Sequence, residues 1–108
     1  MVVKMFLDKY LNDVYLELLY SNYDEDYINS LDQDNFNKVY ILLKEKKFYY
    51  IEDIILNYLE IFFIDEKYIR QALDDMEFIL GDDYVKVISN KMTLINKIFD
   101  IATDYSVE

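Results

Sequence analysis

The sequence predicts an all-α protein, a compact antiparallel bundle of about five helices in one domain spanning residues 1–108. Three observations carry that expectation. The chain has no proline and one glycine, so little interrupts a helix. Its apolar residues recur at spacings of three and four, which lines one face of a helix. Aspartates precede several apolar stripes, where a short acceptor side chain satisfies free N–H groups at a helix start.

Val3, Leu7, Tyr10, Leu11, Val14 and Leu18 make the first stripe and place a helix over residues 3–20. The polar stretch Ser21-Asn22-Tyr23-Asp24-Glu25-Asp26 is turn-prone and leads into one short helical turn over residues 27–31. Asp32 or Asp34 caps the next helix, whose stripe is Phe36, Val39, Tyr40 and Leu43 and whose end falls near Lys46. Lysines in that last turn suit the negative helix end. A central helix follows, opening at Phe48-Tyr49-Tyr50-Ile51 and running through Ile54, Ile55, Tyr58, Leu59 and Phe62. The competing assignment is a strand over residues 48–51 or 60–64, since β-branched and aromatic residues favour strands.

Asp65 is positioned to cap a fourth helix with the stripe Ile69, Ala72, Leu73, Met76, Ile79 and Leu80. Gly81 stands where a helix takes a left-handed terminal residue. Asp82 or Asp83 then caps the last helix, with Val85, Ile88, Met92, Ile95, Phe99 and Ala102 spaced like a heptad seam. The seam stays in phase across Ser89-Asn90, so this helix is expected to be continuous.

Composition narrows the chemistry. The chain has no His, no Cys and one Gly. That excludes thiolate zinc sites and disulfides, His-dependent catalysis and Gly-rich phosphate loops. The serines Ser21, Ser30, Ser89 and Ser106 have no His to activate them. Adjacent acids such as Glu52-Asp53 point about 100° apart on a helix and do not form a catalytic dyad. Asp32-Gln33-Asp34-Asn35-Phe36-Asn37 opens like a calcium loop but lacks its glycine and runs into a helical stripe. The expectation is therefore no enzyme, no cofactor and no metal. No apolar run is long enough to span a membrane, and an acid arrives at Asp8, too early for a signal peptide. A cytoplasmic location follows as an expectation.

The chain holds 22 acids against 11 bases, a net charge of -11. Nucleic acid and anionic membranes are repelled at long range, and a basic protein is attracted. The 12 tyrosines matter beside that charge. Tyr10, Tyr40 and Tyr58 fall on apolar stripes, which core packing explains. Tyr23 and Tyr27 interleave with Asp24, Glu25 and Asp26 in a polar stretch. Tyrosine gives a large contact area at low entropy cost, and carboxylates beside it bond Lys and Arg strongly. These five residues form the first candidate patch. Asp74, Asp75, Asp82 and Asp83 form the second.

The stretch from Leu43 through Lys44-Glu45-Lys46-Lys47 to Tyr58-Leu59, followed by Ile64-Asp65-Glu66, Ile69 to Leu80 and Gly81-Asp82, resembles the small helical immunity proteins of the MafI type. The likeness covers roughly residues 36–90 and lies in helix lengths and apolar spacing. The chain departs from it at Ile54-Ile55-Leu56, where the family has Ala-Leu-Glu character. The resemblance implies an antidote that blocks a cognate toxin, commonly a basic nuclease, and it transfers no catalytic residue.

The expectation is thus a non-enzymatic acidic inhibitor, a monomer or small homo-oligomer, that occludes a basic protein. One alternative is a phage anti-defence protein that mimics nucleic acid along a long acidic face. Another is a self-assembling helical adaptor using exposed residues of the 61–64 run, which light scattering would reveal as an oligomer.

Overall fold

The computed structural model describes residues 5–107, and these are all-α. Seven α-helices occur among them: α1 (Asp13–Asn22), α2 (Glu25–Asn29), α3 (Gln33–Glu45), α4 (Ile51–Asn57), α5 (Glu66–Leu80), α6 (Tyr84–Asn90) and α7 (Ile95–Ser106). Short 3-10 turns cover Met5–Lys9, Leu59–Phe63 and Met92–Leu94. No strand occurs among the described residues, including at 48–51 and 60–64.

Three helices start in the same way. Asn12 accepts from the Tyr15 N–H at 2.9 Å, Asp32 from the Asn35 N–H at 2.9 Å, and Asp65 from the Lys67 N–H at 3.1 Å. An apolar residue precedes each cap and another stands at the fourth helical position: Leu11 and Leu16, Leu31 and Phe36, Ile64 and Ile69. This is the spacing of a hydrophobic staple, which sets the angle at which the chain enters a helix.

The count exceeds five because α2 is a helix in its own right and the last helix is divided. The first helix differs too. Residue 3 lies outside the described residues. Leu7 and Leu11 are buried, but from a 3-10 turn and the residues after it. Asn12 then restarts the chain as α1 in a new phase, which turns Val14 and Leu18 outward and buries Leu16 and Leu19.

The central helix breaks at Tyr58 (φ -139, ψ 45), so α4 gives way to the Leu59–Phe63 turn. A break there frees backbone groups inside the molecule, and each needs a partner. Side chains from the end of α1 and from α3 supply them. Asn22 donates to the Leu56 carbonyl at 2.8 Å, and the Tyr23 hydroxyl accepts from the Leu59 N–H at 3.1 Å. The Asn35 amide donates to the Phe62 and Ile64 carbonyls at 3.1 and 2.7 Å and accepts from the Glu66 N–H at 3.0 Å. Ile61 and Phe62 are buried and Phe63 and Ile64 half-buried, so the 61–64 run offers no broad exposed surface for self-assembly.

α5 follows its expected stripe through Ile69, Ala72, Leu73 and Met76, but Ile79 points outward. Gly81 has a positive φ of 91 with ψ near -175, an extended conformation rather than a left-handed helical one. That region is essentially reserved for glycine. Asp83 precedes α6 without a side-chain cap bond; the Tyr84 N–H is taken by the Gly81 carbonyl instead. The last helix breaks at Lys91 (φ -145, ψ 79) and tightens into a 3-10 turn before α7. The seam survives the break: Ile88, Ile95 and Ala102 are fully buried, with Val85, Met92 and Phe99 half-buried beside them.

Buried residues form one continuous cluster, with Phe36 stacked on Phe62 at 4.6 Å near its centre. α5 and α7 make the most extensive helix pair. α3 ends with the Lys47 N–H bonded to the Lys44 carbonyl and the Phe48 N–H to the Leu43 carbonyl. These are the two bonds of a Schellman ending, completed by buried Phe48. The residue with positive φ in it is Lys47 (φ 73) rather than a glycine.

Two substitutions separate the two positive-φ residues. Lys47→Gly removes a side-chain clash in the left-handed region and should stabilise the fold by up to about 1 kcal/mol. Gly81→Ala meets no atom within 4 Å, so its cost is backbone strain alone, about 1–3 kcal/mol. Asn35→Ala strands three backbone groups and should cost about 3 kcal/mol, at roughly 1 kcal/mol or more for each. Urea unfolding followed by circular dichroism measures all three.

Candidate partner-binding site

The first patch is assembled around a short ladder of rings. Tyr23 stacks on Tyr27 with centroids 5.6 Å apart, and Tyr27 meets Phe63 at 4.5 Å. Tyr23 ends α1 and is half-buried, because its hydroxyl serves the Leu59 N–H and lies 3.5 Å from the Glu60 carboxylate. Burial raises the Tyr23 phenol above its ordinary pKa, with Glu60 pushing the same way and the Leu59 N–H opposing. Tyr27 is the exposed ring of the three, and burial of its inner edge and Glu60 raise its pKa as well.

Asp24 occupies the N-cap position of α2, and Glu25 and Asp26 fill its first turn. Asp24 makes no cap bond through its side chain, and Asp24 and Asp26 are exposed. The structure adds partners that sequence reasoning left out of the patch. Glu60 and Phe63 arrive from the Leu59–Phe63 turn. A neighbouring groove of about 260 Å³ is lined by Ser30, Asp32, Asn35, Phe62, Phe63 and Asp65. Asp32 and Asp65 cap helices with one oxygen, and both are exposed to solvent.

The second patch is not one surface. Asp74 faces Lys46 at 3.6 Å, whereas Asp75 turns to α7 and accepts from the Tyr105 hydroxyl at 2.7 Å. One step along a helix rotates a side chain by about 100°, which separates the two. Asp82 and Asp83 line a cleft of about 390 Å³ together with Lys46, Lys47 and Lys86. The field in that cleft is mixed.

Charge is sorted between two halves of the fold. Residues 11–37 and 48–66 contain twelve acids and no base. The rest of the chain contains ten acids and eleven bases. The two acidic segments adjoin, because α1 packs on α4 and Tyr27 touches Phe63. Lys38 and Arg70 meet this region at Asp34, at 3.3 Å, and at Glu66, at 2.8 Å. Asp24, Glu25, Asp26, Asp32, Glu60 and Asp65 of this region lie beside the aromatic ladder and the groove next to it.

Among the described residues, no group of three or more acids is arranged to hold a metal ion. No described helix is long and apolar enough to cross a membrane. No family model, curated protein or solved structure matches this chain.

The buried tyrosines set an alkaline limit. Burial pushes the Tyr84 phenol up to about 12, with Glu77 and Asp74 adding to the effect. Tyr50, buried and donating to the Val85 carbonyl at 2.6 Å, is raised further. A phenol whose folded pKa lies above its unfolded value of about 10 supports the fold fully below pH 10. That support is lost as pH rises towards 12, by about 2–3 kcal/mol for Tyr84 at 1.36 kcal/mol per unit. Unfolding free energy measured from pH 9 to 12 should fall, and Tyr84→Phe should flatten the decline.

Proposed function

We propose that this chain is a non-enzymatic inhibitor that binds a basic protein through its acidic half and blocks it. The observation that carries this reading is the gathering of Asp24, Glu25, Asp26, Asp32, Glu60 and Asp65 around Tyr27 and Phe63. An exposed ring among carboxylates suits a surface that presents Lys and Arg around an apolar depression. A nuclease-type toxin has such a surface, because it must hold phosphates. The chain then acts as its immunity protein, in the manner of the MafI-type proteins that residues 36–90 resemble.

The mechanism is steric occlusion. Asp24, Glu25, Asp26 and Glu60 stand where phosphates would lie, while Tyr27 and Phe63 exclude water from the contact. No bond is made or broken, so the role calls for no catalytic residue, cofactor or metal. A mimic of duplex nucleic acid needs acids spaced along a long face. Acids gathered about one aromatic ladder favour the compact inhibitor. In this reading the protein works in the cytoplasm, as a monomer or small homo-oligomer.

The test is a pull-down from a lysate expressing the adjacent gene, washed at low and then high salt. A single stoichiometric basic protein released by salt is the expected result. With that protein purified, Asp24→Lys combined with Asp26→Lys should slow association about tenfold at low ionic strength, and the difference should shrink as salt screens it. No partner at low salt, or association unchanged in the double variant, would overturn the reading.

A further inference from the structure

We propose that the groove between the C-terminal halves of α5 and α7 is a docking site for a basic segment of a partner protein. That segment would insert a Lys or Arg side chain flanked by aliphatic residues. The groove has a volume of about 320 Å³ and is lined by Asp75, Ile101, Asp104 and Tyr105. The bond from the Tyr105 hydroxyl to Asp75 ties the last turn of α7 to the C-terminal half of α5.

Phe78 and Ile79 follow Asp75 at the third and fourth positions along α5, so they share its face. Phe78 is 92% exposed and Ile79 60% exposed. A phenylalanine left so open on a regular helix is apolar area that a partner can cover.

Electrostatics selects the partner. The C-terminal end of a helix carries a partial negative charge, which basic residues normally offset. Neither α5 nor α7 has a base in its last turn, and Glu77 and Asp104 stand there instead. The negative end of α7 and the carboxylates of Asp75 and Asp104 therefore meet at one groove, and no Lys or Arg stands among the described residues that line it. A cation relieves that repulsion, and aliphatic side chains beside it cover Phe78 and Ile79. A second copy of the chain brings a like charge of -11, and nucleic acid or an anionic membrane is likewise repelled.

This surface is separate from the aromatic ladder. Phe78 lies twelve residues beyond Glu66, about 18 Å along α5.

The probe is a short synthetic amphipathic helix of Leu and Lys, titrated into the ¹⁵N-labelled protein and followed by chemical shifts and by fluorescence anisotropy. A Ser and Lys peptide of equal charge serves as comparison. The expected result is shifts centred on Phe78, Ile79, Ile101 and Tyr105, with binding about tenfold weaker for the Ser and Lys peptide. Phe78→Ser should weaken binding about tenfold, and Asp75→Asn with Asp104→Asn should weaken it and reduce its salt dependence. Asp24→Asn with Asp26→Asn should leave binding unchanged. Phe78 is exposed, so its variant should melt like the parent; if it melts lower, the Asp75 and Asp104 variant decides. Absence of binding, shifts confined to the aromatic ladder, or parental affinity in both groove variants would overturn the proposal.

Discussion

The break at Tyr58 is the constraint on which the rest of this fold depends. It turns the most apolar segment of the chain back on itself, so that Ile54 and Ile55 from α4 and Ile61 and Phe62 from the following turn all reach one core. The turn exposes carbonyl and N–H groups where little water reaches. Asn22, Tyr23 and Asn35 satisfy them, and in doing so dock α1 and α3 onto the centre. Asn35 does most, since its one amide holds the end of the turn and the first N–H of α5. The side chains that resolve the break are thus the ones that set how the N-terminal and C-terminal halves meet.

The aromatic ladder is a by-product of that arrangement. Tyr23 is held half-buried by the Leu59 N–H, which leaves Tyr27, in α2, to cover Phe63. Carboxylates that begin α2, α3 and α5 are placed there by the needs of helix starts, yet three chain segments bring them to one side. Asp32 and Asp65 each cap a helix and line the same groove. Structural and binding roles coincide because a capping oxygen occupies only part of a carboxylate.

The two acidic patches read from the sequence fared differently for a geometric reason. Tyr23 to Tyr27 span the junction of α1 and α2, and a stacked pair of rings ties its two ends. Asp74 and Asp75 sit mid-helix, where consecutive residues diverge, and Asp82 and Asp83 lie past the turn at Gly81. Lys46 then enters from the end of α3, and Lys86 from the first turn of α6. What remains on the far side of α5 is an acidic and apolar surface, where Asp75 is held by Tyr105 and Phe78 and Ile79 stand exposed.

The local features were legible in the chain itself. Helix-period spacing, the absence of proline, the caps at Asp32 and Asp65 and the glycine at position 81 act within a turn or two, so a short window contains the whole interaction. The net charge and the absence of His and Cys needed no geometry at all. The breaks at Tyr58 and Lys91 were hidden, because the apolar period continues through both and the groups that satisfy the first lie far away in sequence. Asn12 concealed the restart of α1 in the same way. The sorting of charge into one half, and the meeting of Asp75 with the last turn of α7 at Tyr105, exist only once distant segments pack. Local propensity is decided by neighbours in sequence, whereas a surface is decided by neighbours in space.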